Sequence, residues 1–152
     1  MIALACDHGG FELMQEIKQH LSSRGLEFKD FGAFSDERCD YPGFAAAASH
    51  AIVSGECLRG IYVCGTGIGM SIAANKIPGI RAALCGDCYS AEMTRLHNNA
   101  NVITLGARVL GSGLALKIVD TFLDTGFEGG RHGQRVEMLS AIERGETPAQ
   151  VL

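Results

Sequence analysis

Short apolar runs alternate along this chain with longer stretches in which apolar residues recur every three or four positions. The apolar runs cover residues 1–6, 26–32, 60–65, 80–86 and 101–107. Runs of this length, rich in Ile, Val, Leu and Ala, predict strands that are buried in a sheet. The second run carries charged residues, so we expect its strand near an edge of the sheet.

The stretches between these runs have the periodicity of amphipathic helices. We predict helices at residues 11–25, 42–55, 70–76, 90–99, 113–126 and 133–146, followed by a tail at 147–152. Pro42 suits the first turn of the second helix, and Ser90 suits the N-cap of the fourth.

This alternation predicts an α/β fold in one domain, residues 1–152, with a five-stranded parallel sheet covered on both faces. Ligands bind such sheets beyond the carboxyl ends of the strands, where the strand order reverses. Asp7 and His8 follow the first strand, and residues 64–69 follow the third. If these two strands are neighbours, as in a flavodoxin-type order, both groups face one crevice.

Composition narrows the class of protein. The 152 residues are 47% hydrophobic and 20% charged, which is typical of a soluble globular domain. The net charge of −4 gives no general attraction to nucleic acid or anionic membranes, so a bound phosphate needs a local cluster of cations. No apolar run reaches the ~20 residues of a membrane span, and the N-terminus lacks the basic region of a secretory signal. We therefore expect a cytoplasmic protein whose six cysteines are thiols.

The sequence CGTGIG at residues 64–69 is the first candidate for chemistry. Alternating glycines let backbone N–H groups turn toward one point, so such a loop binds phosphate or a developing oxyanion. A tight turn that needs glycine only for its dihedral angles is the structural alternative. A nucleotide-binding regulatory module is another, with Asp87 as a ribose ligand, although the G-x-G-x-x-G pattern fails at Met70.

Cys64 stands directly before these glycines, where a helix N-terminus lowers the pKa of a thiol. As a thiolate it could be a nucleophile or a general base. His97 and Asn98 could complete a Cys–His–Asn set for a covalent hydrolase or transferase. A buried small hydrophobe at a strand end is the remaining interpretation. Residue chemistry alone leaves all of these open.

Two further pairs of polar residues have a functional and a structural interpretation. Asp7 and His8 supply an acid and an imidazole at a strand end, where Asp7 could instead cap the next helix. Arg131 and Arg135 are four residues apart, so a helix would present both to one phosphate. The alternative for the arginines is a solvated charged face.

Metal binding finds little support in the sequence. A set made of Asp7, His8, His97 and His132 lacks the spacing of metal ligands. The pair formed by Cys85 and Cys88 is a lone C-x-x-C motif without a second pair. We expect no metal.

Four motifs occur together and in order: DHGG at 7–10, CGTGIGMSIAANK at 64–76, HNNANVITLGARV at 97–109 and GGRHGQRV at 129–136. Together they resemble the ribose-5-phosphate isomerase B family, which includes galactose- and allose-6-phosphate isomerases. The resemblance covers about residues 5–145. It implies a Rossmann-like three-layer sandwich with a C-terminal helix. It also implies a homodimer, or a pair of dimers, with active sites between subunits and no cofactor.

The resemblance also implies catalytic roles. Cys64 would be the base that moves a proton between C1 and C2 of the sugar, and the N–H groups of residues 65–69 would hold the enediolate oxygen. Thr66 would lie close to that proton. His97 would help to open the sugar ring, and Asp7 would support proton transfers between the hydroxyls.

A wider set of residues would contact the substrate. His8, Arg108, Arg131 and Arg135 would bind the phosphate. The full set that the resemblance implies is Asp7, His8, Tyr41, Gly65, Thr66, Gly67, Ile68, Gly69, Asn98, Arg108, Arg131 and Arg135.

Cys64 also indicates a branch of the family. A second branch lacks this cysteine and uses a glutamate just past the last glycine of the loop, where this chain has Met70. We therefore expect a cysteine-dependent aldose–ketose isomerase that interconverts D-ribose 5-phosphate and D-ribulose 5-phosphate in the non-oxidative pentose phosphate pathway. A six-carbon sugar phosphate, allose or galactose 6-phosphate, is the alternative substrate. We expect no nucleic-acid or membrane partner.

Overall fold

The computed structural model describes residues 1–149, which form a parallel β-sheet between two layers of helices. Its strands are β1 (Ile2–Cys6), β2 (Phe28–Asp30), β3 (Arg59–Cys64), β4 (Ala82–Leu84) and β5 (Val102–Gly106). Its α-helices are α1 (Phe11–Ser23), α2 (Tyr41–Val53), α3 (Ile68–Ala74), α4 (Cys88–Asn98), α5 (Ser112–Asp124) and α6 (Arg131–Glu143). The predicted α/β sandwich is confirmed. Residues 150–152 of the predicted tail lie outside the described residues.

The strand order is β2-β1-β3-β5-β4, and every neighbouring pair is parallel. β1 and β3 are neighbours as expected, and β2 lies at an edge as its charges predict. At the other edge β5 lies inside β4, so the order departs there from the flavodoxin pattern. The register pairs Cys6 with Val63 and Cys64 with Gly106. The carboxyl ends of β1, β3 and β5 therefore finish side by side.

A hydrophobic layer covers each face of the sheet. On one face, Met14 of α1 and Phe122 of α5 are fully buried against the strands. On the other, the small side chains Ala45 and Ala48 let α2 approach closely, and they pack in one cluster with Tyr62 of β3. α6 packs against α4. No helix within residues 1–149 has both the length and the hydrophobicity to cross a membrane.

Five of the six predicted helices begin one or two residues earlier than expected, and the starts of α4 and α6 have clear local causes. Ser90 is not the N-cap of α4, because the helix begins earlier and Asp87 Oδ1 accepts a hydrogen bond from the Ser90 N–H at 2.7 Å. This hydrogen bond holds the pKa of the Asp87 carboxyl below its usual range. α6 begins at Arg131 rather than at residue 133, directly after Gly129 and Gly130, whose φ angles are 73° and 55°. Only glycine adopts such angles at little cost.

Two arginines at the amino edge of the sheet tie together the ends of α4 and α5. We call Arg59 and Arg95 the arginine clamp. Arg95 donates to the carbonyl oxygen of Thr125 at 3.3 Å and to that of Ala100. Arg59 donates to the carbonyl oxygen of Phe122 at 3.0 Å, and both guanidinium groups lie 5.7 Å from the centre of the Phe122 ring. Burial lowers the pKa of Arg95 to about 10.

Candidate functional site

Cys64 and the glycine loop, residues 65–69, lie at the carboxyl end of the central strand β3. Cys64 is 5% exposed, and its Sγ accepts a hydrogen bond from the backbone N–H of Gly67 at 3.1 Å. Gly67 has a φ of 78°, in the left-handed region that favours glycine. The loop therefore directs a backbone donor at the sulfur.

Asp7 and His8 come from the end of β1, beside this loop. Asp7 Oδ1 accepts a hydrogen bond from the Gly10 N–H at 3.1 Å, so Asp7 does cap the following turn. A Cβ placed on Gly9 would lie 3.3 Å from both Asp7 Oδ1 and the Gly65 nitrogen. The two loops are thus in contact, and the carboxyl group of Asp7 stands next to the glycine loop. His8 Nδ1 lies 3.3 Å from the backbone nitrogen of Cys39.

Arg108 and Tyr41 border the same loop from two other elements. The Arg108 N–H donates to the carbonyl oxygen of Gly65 at 3.0 Å, and a Cβ on Gly65 would lie 3.4 Å from Arg108 Nε. A Cβ on Gly69 would lie 2.6 Å from Tyr41 Cζ. The missing side chains therefore leave room for both residues against the loop. A cavity of about 400 Å³ opens beside His8 and Arg108.

The structure thus gathers one part of the predicted site at the carboxyl edge of the sheet. We call it the carboxyl-edge half-site. Its members are Asp7, His8, Tyr41, Cys64, Gly65, Thr66, Gly67, Ile68, Gly69 and Arg108.

Replacing Gly67 by alanine should disrupt this half-site. The new Cβ would lie 2.6 Å from Leu84 Cδ1 and 2.9 Å from the Leu105 carbonyl carbon, at a φ of 78°. We expect about 1–3 kcal/mol of backbone strain, a further loss of stability from the collision, and a large fall in turnover as the N–H leaves Cys64. Thermal unfolding and kcat measure both effects. Gly79→Ala is the matched control.

Gly79 has a similar φ of 88°, but its added Cβ would meet nothing closer than Val53 Cγ2 at 3.5 Å. This control therefore carries the backbone strain without the collision. Equal unfolding temperatures and turnover for the two alanine variants would contradict the close packing described at Gly67.

A second group of predicted residues lies around two stacked imidazole rings. His97 in the last turn of α4 stacks on His132 in the first turn of α6, with centroids 4.1 Å apart and planes inclined by 8°. We call these two rings the imidazole stack. Glu128 Oε2 lies 3.5 Å from His132 Nε2 and 3.9 Å from His97 Nε2. Arg131 Nε lies 3.4 Å from the same nitrogen of His132.

Burial lowers the pKa of His132, and the positive charges nearby act in the same direction. His97, Arg131 and Arg135 are the residues that supply those charges. The stack therefore lies in a cationic environment, which suits the binding of an anion such as a phosphate.

This second group lies at the opposite edge of the sheet from Cys64. α4 starts after the carboxyl end of β4 and runs back to the amino end of β5, where His97 and Asn98 lie. The five residues of β5 alone span about 17 Å. One protomer therefore does not bring Cys64 and His97 together. We call the second group, His97, Asn98, Arg131 and Arg135, the amino-edge half-site.

Comparison with known sequences decides the family. A sequence model of the family described as Ribose/Galactose Isomerase matches residues 2–139. The chain belongs to the ribose/galactose isomerase family. The resemblance that the four motifs indicated is thereby confirmed.

Members of this family that resemble the chain include enzymes with different named substrates. The chain is 52% identical over 143 residues to ribose-5-phosphate isomerase B of Escherichia coli (strain K12), which covers 94% of this chain and 96% of that protein. It is 45% identical over 146 residues to D-erythrulose-4-phosphate isomerase of Pectobacterium atrosepticum, with coverages of 95% and 96%. The structure of ribose-5-phosphate isomerase B from Clostridium thermocellum superposes with a TM-score of 0.94 at 53% identity, covering 95% of this chain and 97% of that one.

One group of side chains in this ribose/galactose isomerase family member has the composition of a metal site. The ligand atoms of His97, Glu128 and His132 lie within 4.8 Å of one another. However, parallel stacked rings do not aim their nitrogen lone pairs at one point, as a tetrahedral ion requires. Arg131 also brings a positive charge to His132 Nε2. We therefore assign no metal to these residues.

Two features that suggested other functions have structural roles. The carboxylate of Asp87 caps α4, with its two oxygens 2.7 and 2.8 Å from the nitrogen and hydroxyl of Ser90. It is therefore occupied within the protein rather than presented to a ribose. Burial raises the pKa of Cys85 to about 12, so this member of the C-x-x-C pair is a thiol near neutral pH.

Sequence reasoning missed Glu128 and gave His132 no role. The available signal was their spacing of four residues next to a predicted helix, although Glu128 itself lies on the loop before α6. The polar residues at 97–101 fall into two groups, one with structural roles and one that remains available for a substrate. Asn101 donates through its side chain to the carbonyl oxygen of Gly79 at 2.8 Å, and Asn99 has a left-handed φ of 46° at the end of α4. His97 and the exposed Asn98 remain for a substrate.

Proposed function

We propose that this protein interconverts D-ribose 5-phosphate and D-ribulose 5-phosphate through an enediolate intermediate. The observation that carries the proposal is the buried Cys64 thiol beneath the backbone N–H of Gly67. Aldose–ketose isomerisation needs a base at carbon, donors for a negative oxygen and a group that moves protons between oxygens. The carboxyl-edge half-site supplies all three types of group.

Cys64 is the base in this proposal, and it carries a proton between C1 and C2 of the open-chain sugar. The backbone N–H groups of the glycine loop stabilise the enediolate oxygen, and Thr66 lies beside the transferred proton. Asp7 uses one carboxylate oxygen to cap the following turn and the other to serve the hydroxyl protons. These groups are fixed by the fold before substrate binds, which is what makes electrostatic stabilisation effective.

We further propose that two copies of the chain complete each active site. The carboxyl-edge half-site of one copy receives His97, Asn98, Arg131 and Arg135 from the other, in a homodimer or a pair of dimers. The support is the separation of the two half-sites within one protomer. Exposed apolar side chains beside each half-site, Ile68 and Ile72 on α3 and Leu139 and Ile142 on α6, also favour a covering partner.

The arginines in this arrangement bind the phosphate, together with His8 and Arg108. Binding energy taken from the phosphate, which does not react, holds C1 and C2 against Cys64. No step in this scheme uses a metal. We place the reaction in the non-oxidative pentose phosphate pathway and the protein in the cytoplasm, where the free thiols of its six cysteines would persist.

The test is ketose formation from ribose 5-phosphate in excess chelator. Allose 6-phosphate and erythrulose 4-phosphate are assayed in parallel, since relatives of this chain differ in their named sugars. We expect turnover of the pentose, with kcat on the order of 1–10³ s⁻¹. Turnover of another sugar alone would keep the chemistry and change the substrate. Folded protein that converts none of the three would overturn the proposal.

A further inference from the structure

The imidazole stack holds a ring nitrogen that has a partner in either protonation state. His132 Nε2 has a hydrogen-bond donor, Arg131 Nε, at 3.4 Å and an acceptor, Glu128 Oε2, at 3.5 Å. When Nε2 carries a proton it faces the carboxylate, and when it does not it accepts from the guanidinium. This nitrogen can therefore gain or lose a proton without leaving a buried polar atom unpaired.

The charges around the stack limit it to one proton. The His97 and His132 centroids are only 4.1 Å apart, so two positive rings would repel each other strongly. The other charged groups that act on the stack are Arg131 and Arg135 on α6 and Glu128 on the loop that precedes α6. Glu128 is the one anion among them. Its carboxylate lies within 4.0 Å of both rings, so a single proton on either ring is stabilised there.

Solvation decides which ring carries that proton most of the time. The side chain of His97 is 38% exposed, whereas that of His132 is 5% exposed. Burial lowers the pKa of His132, so this ring is the neutral partner. The stack therefore offers a proton donor and a proton acceptor in direct contact with each other.

We infer that His97 and His132 share one proton to open the furanose ring of the sugar phosphate, with Glu128 as the positioning residue that holds both rings. This inference rests on the proposed function, because it deepens the ring-opening role of His97. His132 and Glu128 have no part in the four-residue amino-edge half-site derived from the motifs.

The proton count of the ring-opening step balances. The C1–O4 bond breaks as O4 takes a proton from the stack, and the O1 hydroxyl loses its proton as the C1=O1 bond forms. The proton from O1 enters the stack, which again holds one. The sugar gains one proton and loses one, so no further reactant is required.

Replacing Glu128 by glutamine tests the inference, since it keeps the size of the side chain and removes its charge. Ribose 5-phosphate is a furanose, whereas ribulose 5-phosphate cannot form one because its O5 carries the phosphate. Both directions are followed by rapid quench, at enzyme concentrations where conversion outpaces spontaneous ring opening. At lower enzyme concentrations, spontaneous ring opening in solution would supply the open-chain aldose without the enzyme. The equilibrium constant of the reaction would then require equal effects on the two directions.

For Glu128→Gln we expect aldose consumption at neutral pH to fall about tenfold or more, part of the 10²–10⁴-fold that general acid–base catalysis supplies. Ketose consumption should change less than about twofold, because it needs no ring opening. Loss of the carboxylate also removes stabilisation of the imidazolium. The alkaline limb of aldose consumption should therefore move to lower pH, and the ring NMR signals of the two histidines should titrate at lower pH.

Glu137→Gln is the matched control. Glu137 lies on α6, the helix that carries His132, and its carboxylate pairs with Arg144 at 3.3 Å. It should leave both directions and both histidine titrations unchanged. Equal losses in the two directions for Glu128→Gln, or histidine titrations identical to those of the wild type, would overturn the inference. Failure of wild-type protein to convert either sugar would instead count against the proposed function.

Discussion

Replacing Cys64 by alanine should abolish turnover while substrate binding survives. The thiol ends a buried strand and contacts one backbone donor, so its removal deletes the base without moving the loop. A base that acts only in the transition state contributes to kcat rather than to affinity. We expect kcat to fall by at least about 10²–10⁴-fold, with the dissociation constant for ribose 5-phosphate changed less than about threefold.

Stopped assays give kcat for this variant, and calorimetry gives the dissociation constant. Cys85→Ala is the matched control, because Cys85 is also buried but directly follows the edge strand β4. The control should lose stability and keep its turnover once folded. Wild-type turnover in the Cys64 variant would remove this residue from the mechanism.

Two inactive variants should restore each other's activity when they are mixed. In a Cys64→Ala plus Arg135→Ala mixture, a mixed dimer has one site with both residues intact and one site with neither. Random pairing puts half the chains in mixed dimers, so we expect about one quarter of wild-type activity. The single variants alone stay near their own low levels, since loss of a charged hydrogen bond to phosphate costs about 10–100-fold. Activity is measured after joint refolding.

The control for this experiment combines two substitutions in the same half-site. Cys64→Ala mixed with His8→Ala leaves every site of a mixed dimer with a defective carboxyl-edge half-site. We expect no recovery from this pair. Recovery in both mixtures, or in neither, would show that the division of the site between two copies is wrong.

The sequence predicted that Asp7, His8 and the glycine loop lie at one edge of the sheet, and it did so for a physical reason. Cys64 ends one strand of the parallel sheet, and Asp7 and Arg108 come just after two others. Parallel strands bring their carboxyl ends to a common edge. The neighbour relation of β1 and β3 was assumed, and the family resemblance supplied Tyr41 and Arg108. Strand order at the far edge was not predictable, because β4 and β5 have similar apolar composition and nothing local fixes which one lies outside.

For the amino-edge half-site, the sequence pattern does not reveal which residues of distant elements come into contact. The structure places His97 and Arg131 on helices, and in the proposed dimer their contact with Cys64 depends on a second copy of the chain. The imidazole stack within the protomer was also missed, because His97 and His132 come from different helices and meet only through the packing of α6 on α4. Ser90 was mistaken for a cap because Asp87, three residues earlier, makes the same type of bond.

The arginine clamp determines what a pH series on this protein would report. Its guanidinium groups bond to backbone carbonyl oxygens, which do not ionise, and Arg95 has a pKa of about 10. From about pH 5 to pH 9 the support beneath α4 and the loop before α6 therefore keeps its charge and its bonds. The frame that carries the imidazole stack thus stays constant while the pH changes across that range. A midpoint observed in the pH dependence of activity over that range would therefore report proton exchange at the site and not the loss of the clamp's hydrogen bonds.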